Sequence, residues 1–191
     1  MGREGAIRLT GGALRGRRIL CAQGAPSRPT QGRIREAVFS ILGDRIPGSR
    51  IVDVFSGTGA IALEAVSRGA ILATCIEADP RAAQALEENA RRCGVSGTVR
   101  VVVRDAAAAL EGIAPGSADV VFADPPYGAA WPGHEAWRAV ERILAGGGLF
   151  VLETRRGTIR TEPPEAMEPV KTRAYGDTEI LIWRKARSGD G

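Results

Sequence analysis

Asp124-Pro125-Pro126-Tyr127-Gly128 follows an apolar run, residues 118–123, and gathers groups that could act together on one nitrogen. Two consecutive prolines remove two N–H donors and stiffen the backbone, so the carbonyl oxygens beside Asp124 stay exposed as acceptors. An exocyclic amino group on a base is a weak nucleophile because its lone pair is delocalised into the ring. The Asp124 carboxylate and the Pro125 carbonyl can each accept one of its N–H bonds, favouring a pyramidal nitrogen with a directed lone pair. Pro126 holds that geometry, and Tyr127 offers a ring on which an unstacked base can rest. Asp124, Pro125, Pro126 and Tyr127 are therefore the candidate catalytic residues, and alkylation of an amine is the chemistry they suit.

A second constellation would hold the reagent. In Asp53-Val54-Phe55-Ser56-Gly57-Thr58-Gly59-Ala60, glycines Gly57 and Gly59 sit where a strand gives way to a helix, the nucleotide-binding position of open α/β sheets. Gly57 to Ala62 also satisfies the dinucleotide pattern G-x-G-x-x-A, so NAD has to be weighed. Asp53 would repel a pyrophosphate and attract the ammonium and sulfonium of S-adenosylmethionine, which favours the cationic cofactor; alternatively Asp53 only bonds the following turn. Glu77, twenty positions beyond Gly57, can accept from both ribose hydroxyls of either cofactor. Asp105 either accepts from an adenine amino group, with the Ala106 N–H on a ring nitrogen, or caps the next helix. Phe55, Asp79, Ala106 and Asp124 complete the expected cofactor-binding set.

These residues must be positioned by strands alternating with helices. Strands are read at residues 51–55, 72–77, 99–104, 119–124 and 149–153, with helices beginning near Gly59, at Pro80, near Ala106 and near Glu135. Asp79 followed by Pro80 reads as a helix start, and Gly94 as its stop. Upstream, the first thirty or so residues, with apolar spots at Ile7, Leu9, Leu14, Ile19 and Leu20, suggest a short hairpin or arm. Thr30 is expected to cap a helix whose apolar face is Ile34, Ala37, Val38, Ile41 and Leu42, ending at Gly43. Residues 168–175 and 178–183 read as an antiparallel pair turning at Gly176-Asp177. The division expected is a basic arm and helix, 1–48, a cofactor-binding domain, 49–185, and a disordered tail, 186–191.

The chain has 191 residues, 44% hydrophobic and 25% charged, an ordinary globular composition. No apolar run nears the ~18 residues that would span a bilayer, and three cysteines without a C-x-x-C pair suggest neither disulfides nor zinc. A cytoplasmic protein without metal is expected. Ten arginines against three carboxylates give residues 1–50 a charge of +7, although the whole chain carries only +4. Arg8, Arg15, Arg17, Arg18, Arg28, Arg33 and Arg35 are accordingly the candidates for gripping RNA phosphates, unless they form only a solvated surface. His134 is expected to pack at a helix start, and Cys75, Leu86, Ala90 and Leu144 in the core.

With those motifs in place, the chain resembles the bacterial 16S rRNA (guanine-N2)-methyltransferases, among the class I methyltransferases with an Asp-Pro-Pro-Tyr motif. The likeness includes Ile7-Arg8-Leu9-Thr10-Gly11-Gly12 with Arg15-Gly16-Arg17, and Arg28-Pro29-Thr30 followed by Arg33 to Phe39. It implies a Rossmann-like, mostly parallel seven-stranded sheet with an antiparallel C-terminal strand and a short basic extension. It also implies S-adenosylmethionine as methyl donor and a guanine of 16S ribosomal RNA or of the small-subunit particle as acceptor; a monomer is expected. Ser56 and Thr58 stand where the family pattern has Ala and Ser. Tyr175-Gly176-Asp177-Thr178 fits a late family turn of unassigned role. Amine methylation of adenine N6 in DNA or RNA, and a non-catalytic RNA-binding assembly factor, are the alternatives.

Overall fold

The computed structural model describes residues 6–21, 29–126, 131–158 and 161–187. Strands β1 (Ala6–Arg8) and β2 (Arg18–Leu20) form a small antiparallel hairpin. Helix α1 (Pro29–Leu42) leads into a seven-stranded sheet built from β3 (Arg50–Val54), β4 (Leu72–Glu77), β5 (Val99–Val103), β6 (Ala118–Ala123), β7 (Leu144–Arg155), β8 (Met167–Tyr175) and β9 (Thr178–Lys185). Helices α2 (Ala60–Ser67), α3 (Pro80–Cys93), α4 (Ala106–Glu111) and α5 (His134–Ile143) connect the parallel strands.

The strand order is β5-β4-β3-β6-β7-β9-β8. Pairings from β5 to β7 are parallel, whereas β9 runs antiparallel to both of its neighbours. The Rossmann-like, mostly parallel sheet with its antiparallel C-terminal strand is thus as expected. The order reverses beside β3, with the chain leaving toward β4 on one side and returning to β6 on the other. Such a switch opens a crevice at the strands' carboxyl ends.

Local chemistry explains the boundaries. The Asp79 side chain accepts from the Arg81 N–H at 2.9 Å, Pro80 supplies a fixed φ at the first helical position, and Gly94 ends α3 at φ 74°. Two expectations need correction. Helix α1 begins at Pro29, so Thr30 lies inside its first turn and not at the position before it. Strand β7 begins at Leu144, five residues earlier than its apolar pattern suggests, because the run Gly146-Gly147-Gly148 is accommodated as a bulge. The register jumps from Ala118↔Leu144 to Val120↔Leu149 there. A Cβ at Gly148 would sit 2.9 Å from the Ala145 carbonyl oxygen, closer than real Cβ contacts come, so the backbone would have to shift for any larger residue.

Each face of the sheet is covered. One layer joins Ile34, Val38 and Phe39 of α1 to Ile51, Phe122 and Val151. The other joins Trp137, Val140 and Ile143 of α5 to Val121, Phe150 and Trp183, where Trp137 stands edge-on to both Phe150 and Trp183. Each such ring or branched chain contributes about 1.5–3 kcal/mol by leaving water. Cys75, Leu86, Ala90 and Leu144 are buried as expected. His134 opens α5 but is exposed, so the packing at that helix start falls to Trp137 instead. Of the tail, Ala186 is tied back by its N–H to the Ala166 carbonyl at 2.8 Å; residues 188–191 lie outside the described residues.

Candidate active site

Four adjacent strands end in acidic residues. Glu77 closes β4, Asp53 lies one residue before the end of β3, Asp124 follows β6, and Glu153 lies near the end of β7. In the register Asp53↔Phe122 and Phe122↔Val151 run side by side. Side chains alternate along a strand, so Asp124 and Glu153, each two residues further on, share the face of Asp53. All three line one cleft, floored by Phe122 and Val151 and walled by Val38 of α1 and Ile61 of α2.

Asp53 is only 3% exposed, and its Oδ2 has no hydrogen-bond partner. Burial pushes its pKa up to about 7; the backbone of Ala62 opposes this, and the charges of Asp124 and Glu77 add to it. Asp124 is exposed at the cleft mouth, yet the protein around its carboxyl displaces enough water to raise it to about 6. Glu153 is raised to about 8, by burial first and by the Asp124 charge second. Among the described residues no ion pair engages any of these three carboxylates. The cleft therefore gathers acidic groups that hold their protons more tightly than usual, and a cation or a cluster of N–H donors arriving there would favour their ionised forms.

The glycine loop sits at the same crevice. Phe55 adopts a left-handed φ of 64°, unusual for a residue with a side chain, and Gly57 and Gly59 follow at 54° and 82°. A Cβ on Gly59 would lie 2.7 Å from the Leu86 side chain, so only glycine lets α2 start this close to α3. A Cβ on Gly57 would project into open space, which leaves its backbone approachable. Glu77 braces the loop: Oε2 accepts from the Gly57 N–H at 2.7 Å and Oε1 from the Asp79 N–H at 2.8 Å. Asp105 caps α4 by accepting from the Ala107 N–H at 2.9 Å, and it remains exposed, so capping occupies one oxygen only. Ala106 is buried behind it. Phe55 meets Trp131 edge-on, with ring centres 5.4 Å apart. Pro125 is half-buried and Pro126 exposed, while Tyr127 lies outside the described residues.

The N-terminal segment is docked by residues that sequence reasoning missed. Glu64, fully buried on α2, accepts from the Thr10 N–H at 2.8 Å, the Thr10 hydroxyl at 2.9 Å and the Gly11 N–H at 2.7 Å, and pairs with Arg68 at 2.9 Å. Gly12 lies so close to α2 that a Cβ would collide with the Ser67 carbonyl. Asn89, also buried, exchanges hydrogen bonds with both backbone groups of Leu20 and donates to the Thr58 carbonyl at 3.0 Å, linking β2 to the glycine loop. Of the arginines read as phosphate contacts, Arg8, Arg15, Arg17, Arg18 and Arg33 are exposed and Arg28 lies outside the described residues. Arg35 is a correction. At 5% exposure it donates to the Arg8 carbonyl at 2.7 Å and lies 3.5 Å from Glu64, so it faces the core and cannot reach a phosphate.

Residues 7–184 match the family model described as Conserved hypothetical protein 95. The chain belongs to this methyltransferase family. It is 26% identical over 187 residues to YlbH of Bacillus subtilis, provisionally named an rRNA methyltransferase, an alignment covering 94% of this chain and 99% of that protein. It is 38% identical over 124 residues to Ribosomal RNA small subunit methyltransferase D of Escherichia coli, covering 65% of this chain and 62% of the relative. A solved Escherichia coli structure, provisionally named the methyltransferase yhhF, superposes with a TM-score of 0.84 at 29% identity, over 95% of this chain and 99% of that one.

The methyl donor expected from the sequence is S-adenosylmethionine. The residues present fit it: the orphaned Asp53 oxygen suits an ammonium or sulfonium, the open glycine loop suits close approach, and Glu77 keeps lone pairs for ribose hydroxyls. Among the described residues no group of three His, Cys, Asp or Glu could hold a metal ion, and no helix is long and apolar enough to cross a membrane.

Proposed function

We propose that this chain methylates the exocyclic N2 amine of a guanine in 16S ribosomal RNA, acting in the cytoplasm as a monomer on the RNA or on the small-subunit particle. The observation that carries the reading is the cleft in which Asp124, at the end of β6, shares a face with Asp53 of the neighbouring strand. A reagent held along β3 and β4 and a base held at β6 would meet there. The family's relatives, with ribosomal RNA in their names, supply the substrate class.

S-adenosylmethionine supplies an activated methyl group on a good leaving group. The protein's part is alignment and charge. Asp53, Phe55, Gly57, Gly59, Glu77, Asp79, Asp105 and Ala106 would hold the donor. Asp124 and the Pro125 carbonyl would each accept one N–H of the amine, fixing its lone pair toward the donor. As the nitrogen gains a carbon it becomes cationic and must shed one proton, which an Asp124 oxygen with a pKa of about 6 can receive. Pro126 stiffens the corner and Tyr127 would stack on the flipped base. Residues 1–48 would form the RNA-facing unit and 49–185 the methyl-transferring one.

Mass mapping of small-subunit RNA from cells with and without the protein tests the reading. An N2-methylguanine lost with the gene and restored by purified protein on naked RNA or particles supports it. Methyl transfer to an adenine, or RNA binding without turnover, would replace it.

A further inference from the structure

Asp124 can hold the amine of any base, so the choice of guanine must come from another group. Across the sheet, the donor-binding residues Glu77 and Asp53 lie on β4 and β3, to one side of Asp124, and β7 lies to the other. Neighbouring strands are about 4.8 Å apart, and Glu153, on the face it shares with Asp124, borders the same cleft on the side away from the donor. It is close enough to feel the Asp124 charge, and no ion pair among the described residues engages it. The unpartnered, buried Asp53 oxygen in the same cleft marks this as a site for a ligand and not a solvated acidic surface.

Resting on the guanine reading above, we infer that Glu153 is the specificity-determining residue, accepting the N1–H of guanine while Asp124 and Pro125 hold the neighbouring N2 amine. In guanine the ring atom beside the amine carries a hydrogen. In adenine the ring nitrogen beside N6 carries a lone pair, which an ionised carboxylate repels. A second acceptor one strand beyond the first therefore turns a general amine site into a guanine site. Burial and the Asp124 charge raise Glu153 to about 8, so in the cofactor-free protein it largely holds its proton; positive charge arriving beside Asp53 favours the ionised form that the discrimination requires.

The discriminating probe is 2-aminopurine, which keeps the amine at C2 and lacks the N1 hydrogen. It is placed by ligation at the guanine identified by mass mapping. For the full-length protein, kcat/KM on guanine should exceed that on 2-aminopurine by about a hundredfold, the worth of a charge-assisted hydrogen bond. With Glu153→Ala that ratio should collapse toward one, and Glu153→Gln, which keeps an acceptor, should fall between. Dissociation constants for the two RNAs in the presence of S-adenosylhomocysteine should show the same trend, and the binding of S-adenosylhomocysteine alone certifies that each variant is folded. Equal methylation of both bases by the unaltered protein, or an unchanged ratio in Glu153→Ala, overturns the inference. Absence of methylation on any guanine would instead overturn the function on which it rests.

Discussion

The Asp53 carboxyl is held in a place that stabilises its protonated form, and this has a consequence for stability that can be measured. A carboxyl whose pKa is raised on folding favours the fold while it carries its proton; the folded state binds more protons than the unfolded one between about pH 4 and the folded value of about 7. Stability should therefore fall as pH rises through that window, by at most about 1.4 kcal/mol for each pH increment of one. Melting temperatures of the cofactor-free protein between pH 5 and 8 should show the decline, to which the raised Asp124 and Glu153 also contribute, and Asp53→Asn should lessen it. Asp53→Asn should also weaken S-adenosylmethionine binding in calorimetry, since it keeps an acceptor oxygen but removes the negative charge proposed to face the cationic end. Asp124 titrates with the opposite effect on rate. Only its ionised form can accept both the amine N–H and, later, the proton, so kcat should climb as pH passes about 6. A rate independent of pH between 5 and 7 would contradict that role.

At the scale of elements, Glu64 joins the N-terminal segment to α2 and thereby to the glycine loop that begins the same helix. It is fully buried and surrounded by two arginines and three donors from Thr10 and Gly11. Removing one partner of such a cluster leaves buried charge uncompensated, so Glu64→Gln should lower the unfolding free energy by about 3–5 kcal/mol in denaturant titration. Much of this architecture was legible from periodicity. Alternating strands and helices, the Asp79-Pro80 start and the Gly94 stop follow local rules, and the glycine loop announced the crevice. The rest depended on long-range geometry. Gly146-Gly147-Gly148 resembles a strand breaker and is a bulge, because only the paired strand reveals the extra residues. Arg35 resembles a surface cation, yet its spacing with Phe39 and Leu42 is that of the buried face of α1. Glu153 reads as the polar end of a strand; its place beside Asp124 follows from β7 pairing with β6, which no local pattern encodes.

For the whole molecule, the proposed function divides charge between two regions. The carboxyl ends of β3, β6 and β7 collect acidic groups in one cleft, and the N-terminal arm displays Arg8, Arg15, Arg17 and Arg18 at its surface. Each phosphate contact releases counterions, so replacing Arg17 or Arg18 with Ala should weaken binding to small-subunit RNA and reduce the salt slope of log K by about one. Replacing Arg35 should leave that slope unchanged and cost stability instead.

The most direct test of the proposed chemistry is a paired measurement on Asp124→Ala: single-turnover methyl transfer to undermodified small-subunit RNA, and S-adenosylmethionine affinity by calorimetry. If Asp124 holds the amine, the rate falls by about 10²–10³ or more, with affinity changed by no more than a few-fold. Methyl transfer by Asp124→Ala at a rate close to that of the unaltered protein would contradict it.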